Sequence, residues 1–215
     1  TSATLAGEIA IHYIGDAANA ITHTNLTISA ADIGIRFDSA TALAIEFTGG
    51  CSFEGGNIGV LCSSGFISNL IFHGNYFEGM NTCLQFTNAD CYGFDFSNNF
   101  VSNNGYTLKA AENSIRVGTM LGNSIPDGGG TIRNIIDVST AGNELVIQLP
   151  GVRSTNAPTA HISNILTNPS CTILAPYSWV DASNAIMART LTFGQANDGA
   201  VTELPYDGRA IKTVN

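Results

Sequence analysis

Three nine-residue stretches decide the fold: His73–Asn81 (HGNYFEGMN), Ser97–Gly105 (SNNFVSNNG) and Leu121–Gly129 (LGNSIPDGG). Each starts 24 residues after the one before, and each sets Gly or Asn, then Asn, then one free position, then an apolar residue. Working outward, Gly50, Gly74, Asn98 and Gly122 form one series, and Cys51, Asn75, Asn99 and Asn123 follow directly behind them. Phe53, Phe77, Val101 and Ile125 stand two positions further on. Ile11, Ile35, Val60, Leu84 and Leu108 form another series, as do Phe47, Phe72, Phe96 and Met120, with single steps of 25 where a turn gains one residue. A fixed period of this length is the signature of a stacked repeat.

Within each unit the apolar residues alternate: Ile35/Phe37, Ile45/Phe47, Cys51/Phe53, then Val60/Cys62, Leu70/Phe72, Asn75/Phe77, then Leu84/Phe86 and Phe94/Phe96. Alternation over three to five residues means short strands with one buried face. Three such strands per unit, divided by Gly, Asn and Ser turns, make a triangular coil. One coil cannot bury its own inward face, so successive coils must stack. Helical repeats would need apolar residues at a 3.6 spacing, which the alternation contradicts. The expected fold is all-β: a right-handed, single-stranded parallel β-helix of about five 24-residue coils over residues 1–130. A smaller β-rich region follows over residues 131–215, expected to cap the open end of the helix, whose last coil would otherwise present unpaired backbone groups.

The inward Asn75, Asn99 and Asn123 need a reason, because a buried amide is costly unless its donor and acceptor both find partners. Stacked one coil apart, at about 4.8 Å, they are expected to form a ladder bonded to one another and to the turn backbone, with Cys51 capping one end.

Composition supports this. The chain is 44% hydrophobic but only 12% charged, too apolar for disorder and too poor in Lys, Arg and Glu for a helical bundle. The net charge of −9 argues against a nucleic-acid footprint or an anionic membrane surface. Up to Gly130, 11 acids stand against Arg36, Lys109 and Arg116, so that part alone carries −8. No apolar run has transmembrane length, no signal peptide stands at the front, and a start at Thr1 without Met reads as a fragment or processed product. Cys51, Cys62, Cys83, Cys91 and Cys171 are odd in number and lack metal-ligand spacing, so they read as buried thiols of a protein assembled in a reducing cytoplasm.

With their Gly-Asn-x-apolar units and low charge, the quoted stretches resemble the pectin-lyase-like β-helix superfamily, and within it most the β-helices of bacteriophage tailspikes. The resemblance covers roughly residues 5–130. It implies a virion tail protein, homotrimeric with the 131–215 region as its oligomerisation part, that binds host surface polysaccharide such as capsule or O-antigen, in many cases cleaving it as an endoglycosidase. The repeat itself encodes stacking rather than chemistry. A non-catalytic receptor-binding or shaft fragment of a tail fibre stays open beside this. So does a secreted β-helix adhesin, against which five thiols count.

After Asp127-Gly128-Gly129-Gly130 the repeat fails, since Asn123 plus 24 is Ile147, with no Gly-Asn there. Leu145/Ile147/Leu149, CTILAPYSWV (171–180) and AIMARTLTFG (185–194) read as strands, punctuated by prolines.

In a stacked coil, residues one repeat apart lie over each other, so outward columns can be written down. Glu54 and Glu78 are expected one coil apart, about 5 Å, close to the separation of retaining glycosidases. Glu46 and Asp95 share a column with Ile71 between them, roughly 9–10 Å apart, near the upper limit for inverting enzymes. These four are the candidate catalytic carboxylates. A lyase would instead need a base, and the column His12, Arg36, Leu61, Gln85, Lys109 is the one basic stripe, without the acids of a calcium site beside it. Arg36, Gln85 and Lys109 are candidate substrate-binding residues, as are Tyr92 and Tyr106, whose rings can stack on sugar faces. No cofactor or metal is called for.

Overall fold

The computed structural model describes residues 5–15, 18–38, 40–102, 104–111, 114–124, 135–137, 142–148, 171–175 and 210–212. They form a parallel β-solenoid of about five coils. Sheet A stacks β1 (Leu5–Ile14), β4 (Ala31–Asp38), β6 (Ser52–Cys62), β8 (Tyr76–Phe86), β11 (Tyr106–Ala110) and β13 (Ile135–Asp137) in that order. Short β3 (Thr27–Ser29) pairs with β6, and β10 (Phe100–Ser102) with β8. Sheet B stacks β2 (Ala18–Thr24), β5 (Ala40–Thr48), β7 (Gly65–His73), β9 (Ala89–Ser97), β12 (Ile115–Met120), β14 (Leu145–Gln148), β15 (Cys171–Ala175) and β16 (Ala210–Lys212). Every pairing is parallel except that of β16, which runs antiparallel to β15.

The register is the one the repeat implies. Phe53 stands over Phe77 and Val60 over Leu84, 24 residues apart, while Phe47 over Phe72 spans 25. The three faces are also present, with one difference. The third face and sheet A are continuous strands in β6 and β8, bent at Gly55 (φ +63°) and Gly79 (φ +73°) rather than broken by a turn. Sheet B carries a kink that strict alternation missed. Ala20, Ala44, Asn69 and Gly93 are left-handed one above another, so the inward step is three residues: Ala42 to Ile45, Ile67 to Leu70, Cys91 to Phe94. An L-residue in this conformation costs about 1–2 kcal/mol, which the stacked neighbours must offset.

The core is a set of aromatic columns. Phe47 stacks on Phe72 with centroids 4.9 Å apart and Phe53 on Phe77 at 4.6 Å, and the two columns meet edge-on. In the first coil two polar rings lie on the aromatic core. Tyr13 lies on Phe37, His23 lies on Phe47, and the Tyr13 hydroxyl bonds His23 Nε2 at 2.5 Å. Cys51, Cys62, Cys83 and Cys91 are buried free thiols.

The corner asparagines are bonded mainly to backbone. Asn75, Asn99 and Asn123 each accept, through Oδ1, the N–H of the residue 24 before: Cys51 at 3.1 Å, Asn75 at 2.9 Å and Asn99 at 2.9 Å. Each Nδ2 donates to the carbonyl of the penultimate residue of the sheet B strand one coil earlier: Phe47, Phe72 and Phe96. The expected side-chain-to-side-chain link is minor, with Asn99 Nδ2 reaching Asn123 Oδ1 at 3.2 Å. Cys51 does cap the series, its Sγ pointing to the His23 and Thr48 carbonyls at 3.4 Å. The residue before each inward side chain is left-handed, from Asn25 (φ +53°) through Gly74 (φ +69°) and Asn98 (φ +56°) to Gly122 (φ +64°). That is why only Gly and Asn occupy this column.

Two further corners use the same device. Asn104 accepts the Met80 N–H and donates to the Phe77 carbonyl, and Asn143 accepts the Ile115 N–H and donates to the Ala111 carbonyl. Parallel stacking thus continues past residue 130, with β13 on β11 and β14 on β12. The expected domain boundary near 130 and the 185–194 strand lie outside the described residues.

Asn99→Ala strands the Asn75 N–H and the Phe72 carbonyl, at roughly 1–3 kcal/mol each. Urea denaturation is expected to show a loss of about 2–4 kcal/mol, against less than about 0.5 kcal/mol for the exposed Asn81→Ala; equal, small losses would refute the corner role. Burial lowers the His23 pKa, so the fold favours neutral imidazole. The resulting stability is complete above the unfolded value of about 6.5 and is lost as pH falls through the lowered folded value. Thermal melts of wild type and His23→Phe between pH 7.5 and 5 check this, the variant losing that part of the pH dependence.

Candidate functional site on the outer faces

The outward columns are where stacking put them. Glu46 pairs in register with Ile71, Ile71 with Asp95, and Asp95 with Thr119, all on the outer face of sheet B. Ser97 and Thr119 both donate hydroxyls to Asp95 Oδ1, Thr119 at 2.8 Å, which fixes that carboxylate from the side and from the next coil. Glu46 has no such hydroxyl among the described residues.

The kink in sheet B shapes the same face. Because Gly93 is left-handed (φ +73°), Tyr92 and Asp95 both point outward on β9. Phe66 and Tyr92, exposed by 41% and 42%, lie against each other with centroids 5.5 Å apart. Val117, paired with Tyr92, extends this apolar patch onto β12. Alternation alone marked Tyr92 as outward but not Phe66, whose partner position in β9 is Asp90. Asp90 in turn holds Arg116, Oδ1 to Nε at 2.7 Å. At the end of β7, His73 Nε2 accepts the Asn98 amide at 2.9 Å, as a corner residue.

Glu54 and Glu78 pair in register on the short face, one coil apart. Each takes a hydroxyl from its own strand, Glu54 from Ser52 and Glu78 from Tyr76, and the Tyr76 ring stacks on Phe100. The hydrogen bond to Glu78, with the charge of both glutamates, pushes the Tyr76 hydroxyl up to about 12.

The basic column is also continuous: His12, Arg36, Leu61, Gln85 and Lys109 stand in register on sheet A, with Asp137 next. Its charges are engaged locally. Arg36 Nη2 holds Asp38 at 2.8 Å, and Lys109 Nζ lies 5.2 Å over the Tyr106 ring. Hydrogen bonds from Ser64 and Ser63, with Arg36 and His12 nearby, keep the Asp38 carboxyl below its usual value. The candidate residues therefore form three separate groups: Glu46, Asp95 and Tyr92 on sheet B; Glu54 and Glu78 on the short face; Arg36, Gln85, Lys109 and Tyr106 on sheet A. Tyr106 does not join Tyr92. Among the described residues no cluster of His, Cys, Asp or Glu has the make-up of a metal site.

No protein-family model matches the chain, and neither curated proteins nor solved structures give a match.

Tyrosine ionisation followed by ultraviolet absorbance should show Tyr76 titrating near pH 12 in wild type. In Glu78→Gln that group should move down toward the ordinary value of about 10; an unchanged titration curve would mean that Glu78 does not govern the Tyr76 hydroxyl.

Proposed function

We propose that this chain is the β-helical part of a bacteriophage tailspike-type protein and binds a host surface polysaccharide along the outer face of sheet B. The observation that carries this is the exposed Phe66–Tyr92 pair on a rigid strand face beside the Glu46–Ile71–Asp95 column. Pyranose rings dock on exposed aromatic faces through their apolar C–H side, while carboxylates accept hydrogen bonds from the sugar hydroxyls. An extended face of parallel strands offers equivalent positions every ~4.8 Å, which suits a long, repetitive polymer better than a small molecule. Strand-borne side chains are also held more rigidly than loop side chains.

Cleavage is the finer part of the proposal. Glu46 and Asp95, two coils apart, have a backbone separation of roughly 9–10 Å, at the upper edge of the inverting-glycosidase range. Asp95, held by two hydroxyls, is the better oriented of the two to position a water. In the same reading the protein is a homotrimer on the virion tail, assembled in the host cytoplasm, as tailspikes are.

Light scattering of the native protein is expected to give a particle about three times the 22.5 kDa chain. Tyr92→Ala is expected to weaken polysaccharide binding by roughly tenfold, in line with about 1–1.5 kcal/mol for one aromatic contact. Glu46→Gln and Asp95→Asn should abolish cleavage while leaving the bound complex measurable. A monomer that binds no surface polysaccharide would overturn the proposal, and cleavage unchanged in both variants would remove this carboxylate pair.

A further inference from the structure

From the charges on sheet B we infer that the polysaccharide recognised there is an uncharged one, lacking uronate, sialate, phosphate or sulfate groups; this rests on the polysaccharide reading above. Among the described residues the outer face presents Glu46, Asp90 and Asp95, and exposed Glu144 stands just before β14. One base faces them, Arg116, and it is already held by Asp90 at 2.7 Å, with the charge of Glu144 also acting on it. His73, on the same face, uses Nε2 to accept the Asn98 amide. Arg36 and Lys109, the other two bases before residue 125, lie on sheet A, where Arg36 is paired with Asp38.

An anionic sugar stacked on Phe66 and Tyr92 would bring its carboxylate or phosphate beside Glu46 and Asp95, where among the described residues no cation is left to pair it. Two coils span roughly 9–10 Å, about one Debye length at physiological salt, so the acids act together on any bound residue. Such juxtaposition of like charge is a means of rejecting wrong partners. A neutral glycan meets none of this, since its hydroxyls donate to the same carboxylates. The outward Thr22 and Thr119 stand in the same column as Glu46 and Asp95, and their hydroxyls bond sugars without regard to charge.

The test uses paired probes at pH 7.5 with the full chain. Purified uronate-bearing capsular polysaccharides are compared with their own carboxyl-reduced forms, alongside a panel of neutral O-polysaccharides. Binding is expected for neutral polymers, with affinity changing less than about twofold between 20 and 500 mM NaCl. For any polymer that binds, the carboxyl-reduced form is expected to bind at least about tenfold tighter than its anionic parent at low salt, the gap narrowing at high salt. In the Glu46→Gln/Asp95→Asn double variant the same gap should close by at least about threefold, whatever happens to overall affinity. Preference for the anionic parent, or a gap untouched by the double variant, would overturn the inference and leave the polysaccharide reading intact. Failure of every neutral, anionic and reduced polymer to bind would overturn both.

Discussion

A parallel ladder satisfies backbone groups along each strand, but at every corner the chain turns and some of them fall out of register with the coil below. In a solenoid those groups sit against an apolar interior, where an unpartnered amide or carbonyl costs roughly 1–3 kcal/mol. Five inward asparagines answer this at three different corners, each accepting one N–H and donating to one carbonyl of an earlier coil. The left-handed residue ahead of Asn75, Asn99 and Asn123 aims the side chain inward. Once these corners are fixed, successive coils stack in phase even where a turn adds residues, and the aromatic columns, the outward columns and the candidate sites follow from that phase.

Much of this was legible because identical physics recurs every 24 residues and so repeats its residues. The inward series, the Asn corner and the pairings of Glu46 with Asp95 and of Glu54 with Glu78 could all be counted off the chain. What alternation could not reveal was the kink at Ala20, Ala44, Asn69 and Gly93, because two of the four residues are alanines, which carry no left-handed signal. Phe66 escaped notice for the same reason: its outward direction depends on where the kink falls. Asn104 lay hidden in an Asn-rich run, and Asn143 was missed because its coil is longer. Gly118 pairs with Leu145 across 27 residues, and Asn143 stands at the corner before β14 rather than at the corner of Asn123, so a fixed step of 24 from Asn123 could not reach it.

The outer faces divide the chemistry. On sheet A each base of the stripe is met nearby, by an acid or a ring, and on the short face each glutamate is met by a hydroxyl. Sheet B sets the exposed Phe66–Tyr92 pair beside two carboxylates, one of them fixed by two hydroxyls and the other not, while on the short face the exposed Phe100 stacks on Tyr76, whose hydroxyl is already bonded to Glu78. On the reading we propose, such a face takes up uncharged, polyhydroxylated matter, its strands bringing the contacts to one regular surface. With no family match to lean on, the functional reading stands on this combination and on the architecture that repeats it.

The central claim, that side-chain carbonyls replace backbone partners at the corners, is tested most directly by native-state hydrogen exchange. The amides of Cys51, Asn75, Met80, Asn99 and Ile115 each donate to an asparagine side chain. The account predicts that they exchange as slowly as the strand amides on either side of them. Exchange orders of magnitude faster than their neighbours would mean that the corners are open, and that something other than asparagine holds the coils in phase.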